Sequence, residues 1–251
     1  MHARLGGHGV TRREALKLMG ATPLVAVAFQ GGVAMAEESA SRPLAYRGEH
    51  QVKPLHFDPT KLQGLSEKLV TSHHQNNYGG AVKRLNLIEQ QIGALPEDAA
   101  PYQMGSLKRE ELIASNSMIL HEAYFGNLGG SGGAAGAFAG LAKRGYGSLE
   151  VWEHDFRLTG MSLAGGSGWV VASYDPQSRQ LHNWWAFDHT HSLAGGVPML
   201  VMDMYEHAYH MDYGANAKSY VDAFFQNVKW DEVNRRIDEA RREAIPTGSA
   251  P

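Results

Sequence analysis

The first half of the chain carries the apolar spacing of long helices. Aliphatic residues recur at helical intervals over residues 58–91, and this period places them on one face of a helix. Asp58-Pro59-Thr60 supplies a capping side chain and an early proline, so we predict that the first helix begins there. Gly79-Gly80 should loosen or bend it. A second helix is predicted from about residue 106 to residue 126, after a loop marked by two prolines.

The second half combines short helices with strands. Helices are predicted at 134–143, 147–162, about 206–213, 216–227 and 230–243. Residues 168–174 and 180–187 are rich in valine and aromatic residues, and Asp175-Pro176 lies between them, so they indicate a hairpin. Residues 197–202 indicate a third strand. The predicted fold class is therefore α+β, with an N-terminal helical hairpin followed by an α/β domain with a three-stranded antiparallel sheet.

The same pattern divides the chain behind its N-terminus into three parts. Residues 37–57 show no clear period and are predicted to be an extended arm, residues 58–130 a helical hairpin domain and residues 134–245 the α/β domain. The glycine-rich run at 126–133 lacks the Lys-Ser/Thr ending of a phosphate-binding loop and follows no strand. We interpret this run as an interdomain linker.

Residues 1–36 have the features of an export signal. Arg12 and Arg13 belong to a basic segment, an apolar run follows at residues 18–29, and Ala34-Met35-Ala36 offers the small residues that a signal peptidase recognises. The apolar run is too short to span a bilayer, which disfavours the alternative of a short membrane anchor. We predict a twin-arginine signal peptide, with a periplasmic or secreted mature protein that makes no stable membrane insertion.

Composition narrows the chemistry. The 251 residues include no cysteine and thirteen histidines, so any metal site must be built from His, Asp and Glu. Removing the leader leaves about 215 residues with a net charge of about −6. That charge disfavours general nucleic-acid binding.

Four segments concentrate side chains that bind metals. They hold His73 and His74 in the first helix, His121 in the second, residues 188–191 after the middle strand, and residues 203–210 where the third strand gives way to a helix. Adjacent histidines in a helix point apart, so at most one of His73 and His74 faces a given ion. Alone, His121 is more consistent with a hydrogen-bonded core residue than with a ligand.

Asp203 is the most informative of these residues. A carboxylate at the end of an apolar strand must be paired or must bind a metal, because its desolvation is costly. One helical turn separates it from His207, so both side chains can face one point. Three imidazoles and a carboxylate suit iron or manganese, and also zinc or copper. Spacing alone therefore predicts a mononuclear metal site whose chemistry stays open.

The run D-M-Y-E-H-A-Y at residues 203–209 closely resembles the C-terminal signature D-x-W-E-H-A-Y of the iron/manganese superoxide dismutase family. Residues 220–233, the run Gly166-Ser167-Gly168-Trp169, the surroundings of His121 and the first helix from His73 to Asn86 also resemble that family. The resemblance covers about residues 60–243. It implies dismutation of superoxide to dioxygen and hydrogen peroxide, with one iron or manganese ion per subunit.

The resemblance also implies roles for individual residues. The metal ligands would be His73, His121, Asp203 and His207. Glu206 matches a residue that reaches the ligand histidine of a partner subunit, which implies a homodimer. Trp169 matches an aromatic wall of the metal pocket.

The chain departs from the family pattern around this centre. Asn77 and Ala81 stand where the family has His and Tyr, Tyr205 replaces a Trp, and His210 replaces a Tyr. The family counterparts of Asn77 and His210 bond to each other across the subunit interface, so these two positions would have changed together.

Two further functional positions are also altered. The family usually places a Gln against the metal-bound solvent, and none occurs at either usual position. His189 fits a replacement His best, His191 is the alternative, and a polar turn without function is the other interpretation. The family's steering Arg corresponds to Ala217, which makes the adjacent Lys218 the candidate for attracting superoxide, unless it is only a solvated helix cap.

These departures leave two other hypotheses, a non-dismutase redox metalloenzyme and a non-catalytic metal-binding relative on the same scaffold. The sequence does not distinguish iron from manganese, or a dimer from a tetramer.

Overall fold

The computed structural model describes residues 42–191 and 194–243. The predicted leader at residues 1–36 and the start of the predicted arm lie outside the described residues. The helices and strands that position the candidate site belong to the unit that begins at Ala45. The division of this region into a helical hairpin domain and an α/β domain stays a prediction.

The N-terminal half is helical. After a 3-10 turn (Pro59–Lys61), one continuous helical rod consists of α1 (Glu67–Ser72), a π-helical turn (His73–Tyr78) and α2 (Gly79–Gly93), and α3 (Pro101–Gly126) follows. Leu85, Ile88 and Ile92 on α2 recur every three or four residues and are buried with Ala114 of α3. This apolar stripe packs the two helices against each other.

The first helix begins nine residues later than the sequence pattern predicts. Asp58 does accept a hydrogen bond from the Thr60 backbone, but it caps only the 3-10 turn. Gly64 then takes a left-handed conformation (φ 73°) that ends any continuous helix. Ser66 is the true N-cap, and its side chain accepts from the Leu69 backbone N–H.

α2 runs through Gly79 and Gly80 without a break, and the turn directly before them, residues 73–78, has the looser π geometry. A bend at the two glycines stays a prediction. The second helix also starts earlier than predicted, at Pro101, because proline suits the first helical position and Gln103 accepts from the Ala100 backbone N–H.

The second half confirms the α+β prediction. It contains α4 (Gly136–Tyr146), α5 (Leu149–Met161), β1 (Trp169–Asp175), β2 (Gln180–Ala186), β3 (Val197–Asp203), a 3-10 turn (Glu206–Ala208), α6 (His210–Tyr213), α7 (Ala217–Gln226) and α8 (Trp230–Glu243). The three strands form an antiparallel sheet in the order β2-β1-β3. The predicted helix at 206–213 is interrupted, because Tyr209 has an extended φ of −147° between the 3-10 turn and α6.

The register of the sheet determines what lies at one of its ends. Trp169, the first residue of β1, is opposite Ala186 on β2 and opposite Asp203 on β3. Because paired residues lie side by side across a sheet, the ends of β2 and β3 and the start of β1 lie at the same end of the sheet. The segments that follow β2 and β3 carry His189 and His207, so both histidines lie beyond this end.

The core is apolar and aromatic on both sides of β1. Trp152 of α5 is fully buried against Phe138, Phe156 and Trp230.

In the described ranges, no helix combines the length and the apolar character that crossing a membrane requires.

Candidate metal centre

Four side chains from separate parts of the chain converge beside the sheet. They are His73 in the π-helical turn, His121 on α3, Asp203 at the end of β3 and His207 in the following 3-10 turn. One possible ligand atom from each of the four lies within 4.8 Å of the others. The structure thus brings together the four residues that the sequence proposes as ligands.

The Asp203 carboxylate lies at the centre of this group. Its Oδ2 is 3.0 Å from Nε2 of His207, 3.1 Å from Nε2 of His73 and 3.7 Å from Nε2 of His121. Asp203 is fully buried. Burial alone would raise the pKa of this carboxyl, but the charge of His207, the hydrogen bond from its Nε2 and the nearby His73 outweigh it and hold the pKa far below its usual range. Asp203 is therefore an anion inside the protein.

Hydrogen bonds to the protein fix the orientation of Asp203. Its Oδ1 accepts from the Tyr205 backbone N–H at 2.8 Å, and the Tyr220 hydroxyl donates to its backbone carbonyl at 2.6 Å. Oδ2 is left to face the histidines.

Two of the histidines present unpaired nitrogen atoms to this carboxylate. Nε2 of His73 and Nε2 of His121 are buried, and neither makes a hydrogen bond within the described residues. Nδ1 of His121 lies 2.7 Å from the Ser117 carbonyl oxygen, so this nitrogen is the donor. The neutral ring then carries its proton on Nδ1, and Nε2 keeps a lone pair.

Burial, together with the neighbouring His73, lowers the pKa of His121 to about 3. The ring therefore stays neutral at physiological pH, which is the form that binds metals. Buried polar atoms without partners are costly, and a cation between the imidazoles and the carboxylate satisfies all of them at once. The residues present therefore fit an iron or manganese ion.

His74 shows why only one histidine of the pair can contribute. Its ring turns away from the cluster, and Nε2 donates to the Lys53 carbonyl at 2.9 Å.

An aromatic stack leads outward from the cluster. The Tyr205 ring lies nearly parallel to the rings of His189 (4.9 Å between centroids, 16°) and His207 (5.2 Å, 12°). Nε1 of Trp169 donates to Nδ1 of His189 at 3.0 Å. Because an indole nitrogen only donates, Nδ1 of His189 must accept, so the neutral ring carries its proton on Nε2. Burial lowers the pKa of His189, which favours this neutral donor form.

A cavity of about 280 Å³ adjoins the cluster. Its lining includes Asn77, Ala81, Arg84, Ser117 and His189. Ser117 Oγ is 3.4 Å from Nδ1 of His121, so the cavity comes within one side chain of a candidate ligand. The altered positions Asn77 and Ala81 and the outer histidine His189 therefore share one space.

The other predicted site residues lie elsewhere. His191 pairs with Asp188 at 2.9 Å and lines a separate cavity with Trp184 and Trp185. Lys218 on α7 is exposed and pairs with Asp222 at 3.1 Å. His210 and Glu206 are exposed. None of these lines the cavity beside the cluster, as far as the described residues go.

Two residues near the site were missed by the sequence analysis. Arg84 follows Asn77 and Ala81 at helical spacing, and that spacing was the available signal. Asn116 donates to the His189 carbonyl at 2.6 Å and so anchors the segment after β2. Nothing in the sequence links Asn116 to His189, which lies 73 positions further along the chain.

Comparisons with known proteins identify the family of this sequence. Residues 134–236 match the profile of iron/manganese superoxide dismutases, C-terminal domain. The chain is 53% identical over 195 residues to a superoxide dismutase [Fe] of Cupriavidus metallidurans, covering 77% of this chain and 99% of that protein.

More distant relatives include proteins named for either metal. A superoxide dismutase [Fe] of Aquifex pyrophilus is 30% identical over 207 residues, covering 78% of this chain and 95% of that protein. A superoxide dismutase [Mn] 1 of Halobacterium salinarum is 31% identical over 196 residues, covering 76% and 96%. With the fold, the convergent histidines and aspartate, and this extent of similarity, the chain belongs to the iron/manganese superoxide dismutase family.

Proposed function

We propose that this protein dismutates superoxide to dioxygen and hydrogen peroxide, with one iron ion per subunit held by His73, His121, Asp203 and His207. The observation that carries the proposal is the buried cluster in which two imidazole nitrogens and a carboxylate lie together without enough protein partners. Family membership supplies the reaction, and the relative at 53% identity bears the iron name. Manganese is the alternative, since relatives named for manganese share the family.

The bound ion would supply the change of oxidation state by which one superoxide is oxidised and a second is reduced. The protein's own residues set the conditions. Asp203 contributes a negative charge that favours the more oxidised ion, and its burial keeps bulk water away from the centre. Three imidazoles complete a mixed nitrogen and oxygen ligand set.

His189 is proposed to act next to this centre, from the wall of the cavity. Its Nε2–H remains available after Nδ1 accepts from Trp169, so it can donate a hydrogen bond to a small oxygen species in the cavity. Tyr205 stacks between His189 and His207 and keeps the two rings in a fixed relation. Asn77 offers a polar side chain in the lining of the same cavity.

A homodimer is part of the proposal. Glu206 and His210 lie exposed on either side of the candidate ligand His207, a placement that suits contact with a second subunit. Sedimentation equilibrium tests this point, and a monomer at micromolar concentration would refute it. His210 is then an interface residue rather than a residue of the cavity.

Export by the twin-arginine route remains a proposal from the sequence. It is supported by Arg12-Arg13, the apolar run at 18–29 and Ala34-Met35-Ala36. N-terminal sequencing of the protein from its native cells should begin at residue 37. An unprocessed N-terminus would contradict the proposal.

The catalytic proposal is tested by loading metal-free protein separately with iron and with manganese. Metal content and superoxide removal are then measured on the same samples. We expect about one ion per chain with either metal and the higher activity with iron. A redox metal without dismutation would favour the other redox enzyme, and failure to bind metal would favour the non-catalytic relative.

The role of His189 is tested by His189→Gln. We expect this variant to keep its metal, because the four candidate ligands are untouched, and to change activity by about tenfold or to change the preferred metal. Trp169→Phe removes the donor to Nδ1 and should shift activity in the same direction by a smaller factor. Parent-like activity and metal preference in His189→Gln would exclude the outer role.

A further inference from the structure

The cavity beside the four candidate ligands is lined by one permanently charged side chain. Among the described residues that line it, the rest are neutral amides, small or aliphatic residues and a serine, apart from His189, whose pKa is lowered. Arg84 on α2 is the exception, and its side chain is about half exposed (54%). It therefore lies where the cavity meets solvent.

The charge of Arg84 is only partly neutralised by its neighbour. Arg84 forms an ion pair with Glu110 of α3. Glu110 also pairs with Arg109 at 3.2 Å. Two arginines share one carboxylate, so the group keeps a net charge of about +1.

This positive group stands against an acidic background. The chain without the predicted leader carries a net charge of about −6, which repels a small anion at long range. The family position for a steering arginine is Ala217, and Lys218 beside it lies outside the cavity and pairs with Asp222. A local cation at the entrance is the arrangement that offsets such repulsion.

Arg84 and His189 line the same cavity. Burial is the main cause that lowers the pKa of His189, and the positive charge of Arg84 is a smaller cause in the same direction. The positive charge of Arg84 therefore acts on a group that lines this cavity.

We propose that Arg84 attracts superoxide into this cavity and is the steering residue of the chain. The inference rests on the proposed dismutase function. It assigns to α2 the task that the resemblance had suggested for Lys218 on α7. Glu110 opposes the effect by neutralising part of the charge.

The test compares kcat/KM at low and high ionic strength for four variants. At about 0.01 M salt, where charges act over about 30 Å, Arg84→Gln should lower kcat/KM about three- to tenfold. Glu110→Gln should raise it, and Arg84→Lys should retain most of the parent value. Lys83→Gln is the matched control, because Lys83 is an exposed cation on the same helix that does not line the cavity.

At about 1 M salt, where screening shortens the range to about 3 Å, the differences should largely vanish. A second measurement does not depend on turnover. The dissociation constant of azide, a small monovalent anion, should rise in Arg84→Gln by a similar factor, with metal content and Tm unchanged.

The outcomes separate the two proposals. Metal-loaded parent protein without dismutase activity would overturn the proposed function. An active parent with Arg84→Gln indistinguishable from Lys83→Gln, in both kcat/KM and azide binding, would overturn the role of Arg84. A loss in Arg84→Lys as large as in Arg84→Gln would show that positive charge is not responsible.

Discussion

Replacing His207 with alanine should reduce the metal content of the purified protein from about one ion per chain to under about a tenth. The variant loses one of four ligand atoms. Structural Zn²⁺ sites of four ligands bind with about 10–16 kcal/mol, so one ligand of four is worth about 2.5–4 kcal/mol, or about seventyfold and more in affinity. Asp203 also loses the Nε2 contact at 3.0 Å. Dismutase activity should fall with the metal.

The measurement is elemental analysis of parent and variant prepared side by side. His74→Ala is the matched control. His74 is adjacent to the candidate ligand His73, but its ring faces the Lys53 carbonyl, so this variant should keep its metal. If His207→Ala retained stoichiometric metal with an unchanged absorption spectrum, the assignment of the four ligands would be wrong.

Replacing Arg236 with alanine should destabilise the fold by about 3–5 kcal/mol. This guanidinium is largely buried on α8. Its Nη1 donates to Asn127 Oδ1 at 2.7 Å and to the Met199 carbonyl at 3.1 Å, and its Nε donates to Glu232 at 3.0 Å. Alanine leaves the acceptors on Asn127 and Met199 without this donor and removes one of the two arginines that pair with Glu232, which costs more than the hydrogen bonds themselves contribute.

The loss of Arg236 should also affect the candidate ligand Asp203, through the backbone of β3. Asn127 also donates to the carbonyl of Val201, two residues before Asp203, at 2.9 Å. Denaturant unfolding of metal-loaded protein at one fixed concentration gives the difference in free energy. Arg235→Ala is the matched control, since Arg235 is half exposed and its ion pairs with Glu232 and Glu239 should contribute under about 1 kcal/mol. Equal destabilisation by both variants would refute the network.

The order of helices and strands follows from hydrophobic periodicity, and the errors have identifiable causes. Asp58 has the right side chain for a cap, and the same hydrogen bond serves a 3-10 turn as well as a helix. The true start needs Gly64 and Ser66, whose effect depends on a backbone conformation that composition does not specify. The π-helical turn at residues 73–78 has no sequence marker.

The candidate site divides in the same way. The pair Asp203 and His207 is local, and its spacing alone predicts that both face one point. The joining of this pair to His73 and His121 depends on packing between elements far apart in the chain. The resemblance to a known family supplied that information, and periodicity could not.

The cavity could not be predicted from either source. It forms where α2, α3 and the segment after β2 meet, so it brings Arg84 and His189 together across more than one hundred residues. The family's steering position suggests Lys218 as the residue that attracts superoxide, but Lys218 lies exposed on α7, outside this cavity. Whether a charged side chain lines the cavity depends on how the helices pack, and this packing cannot be read from the sequence.

The π-helical turn has a consequence for how this protein can change. A π turn contains one residue more than an α turn, and it lies between α1 and the residues of α2 that line the cavity. Deleting a single residue within it would let the turn close as an α turn and leave α1 and α2 in nearly the same rotation about the helix axis, whereas a deletion within α2 would rotate the residues on either side by about 100°. The turn can therefore lose one residue, provided that His73 is kept. The spacing of Ala81 and Arg84 along α2 is fixed by the cavity that they line.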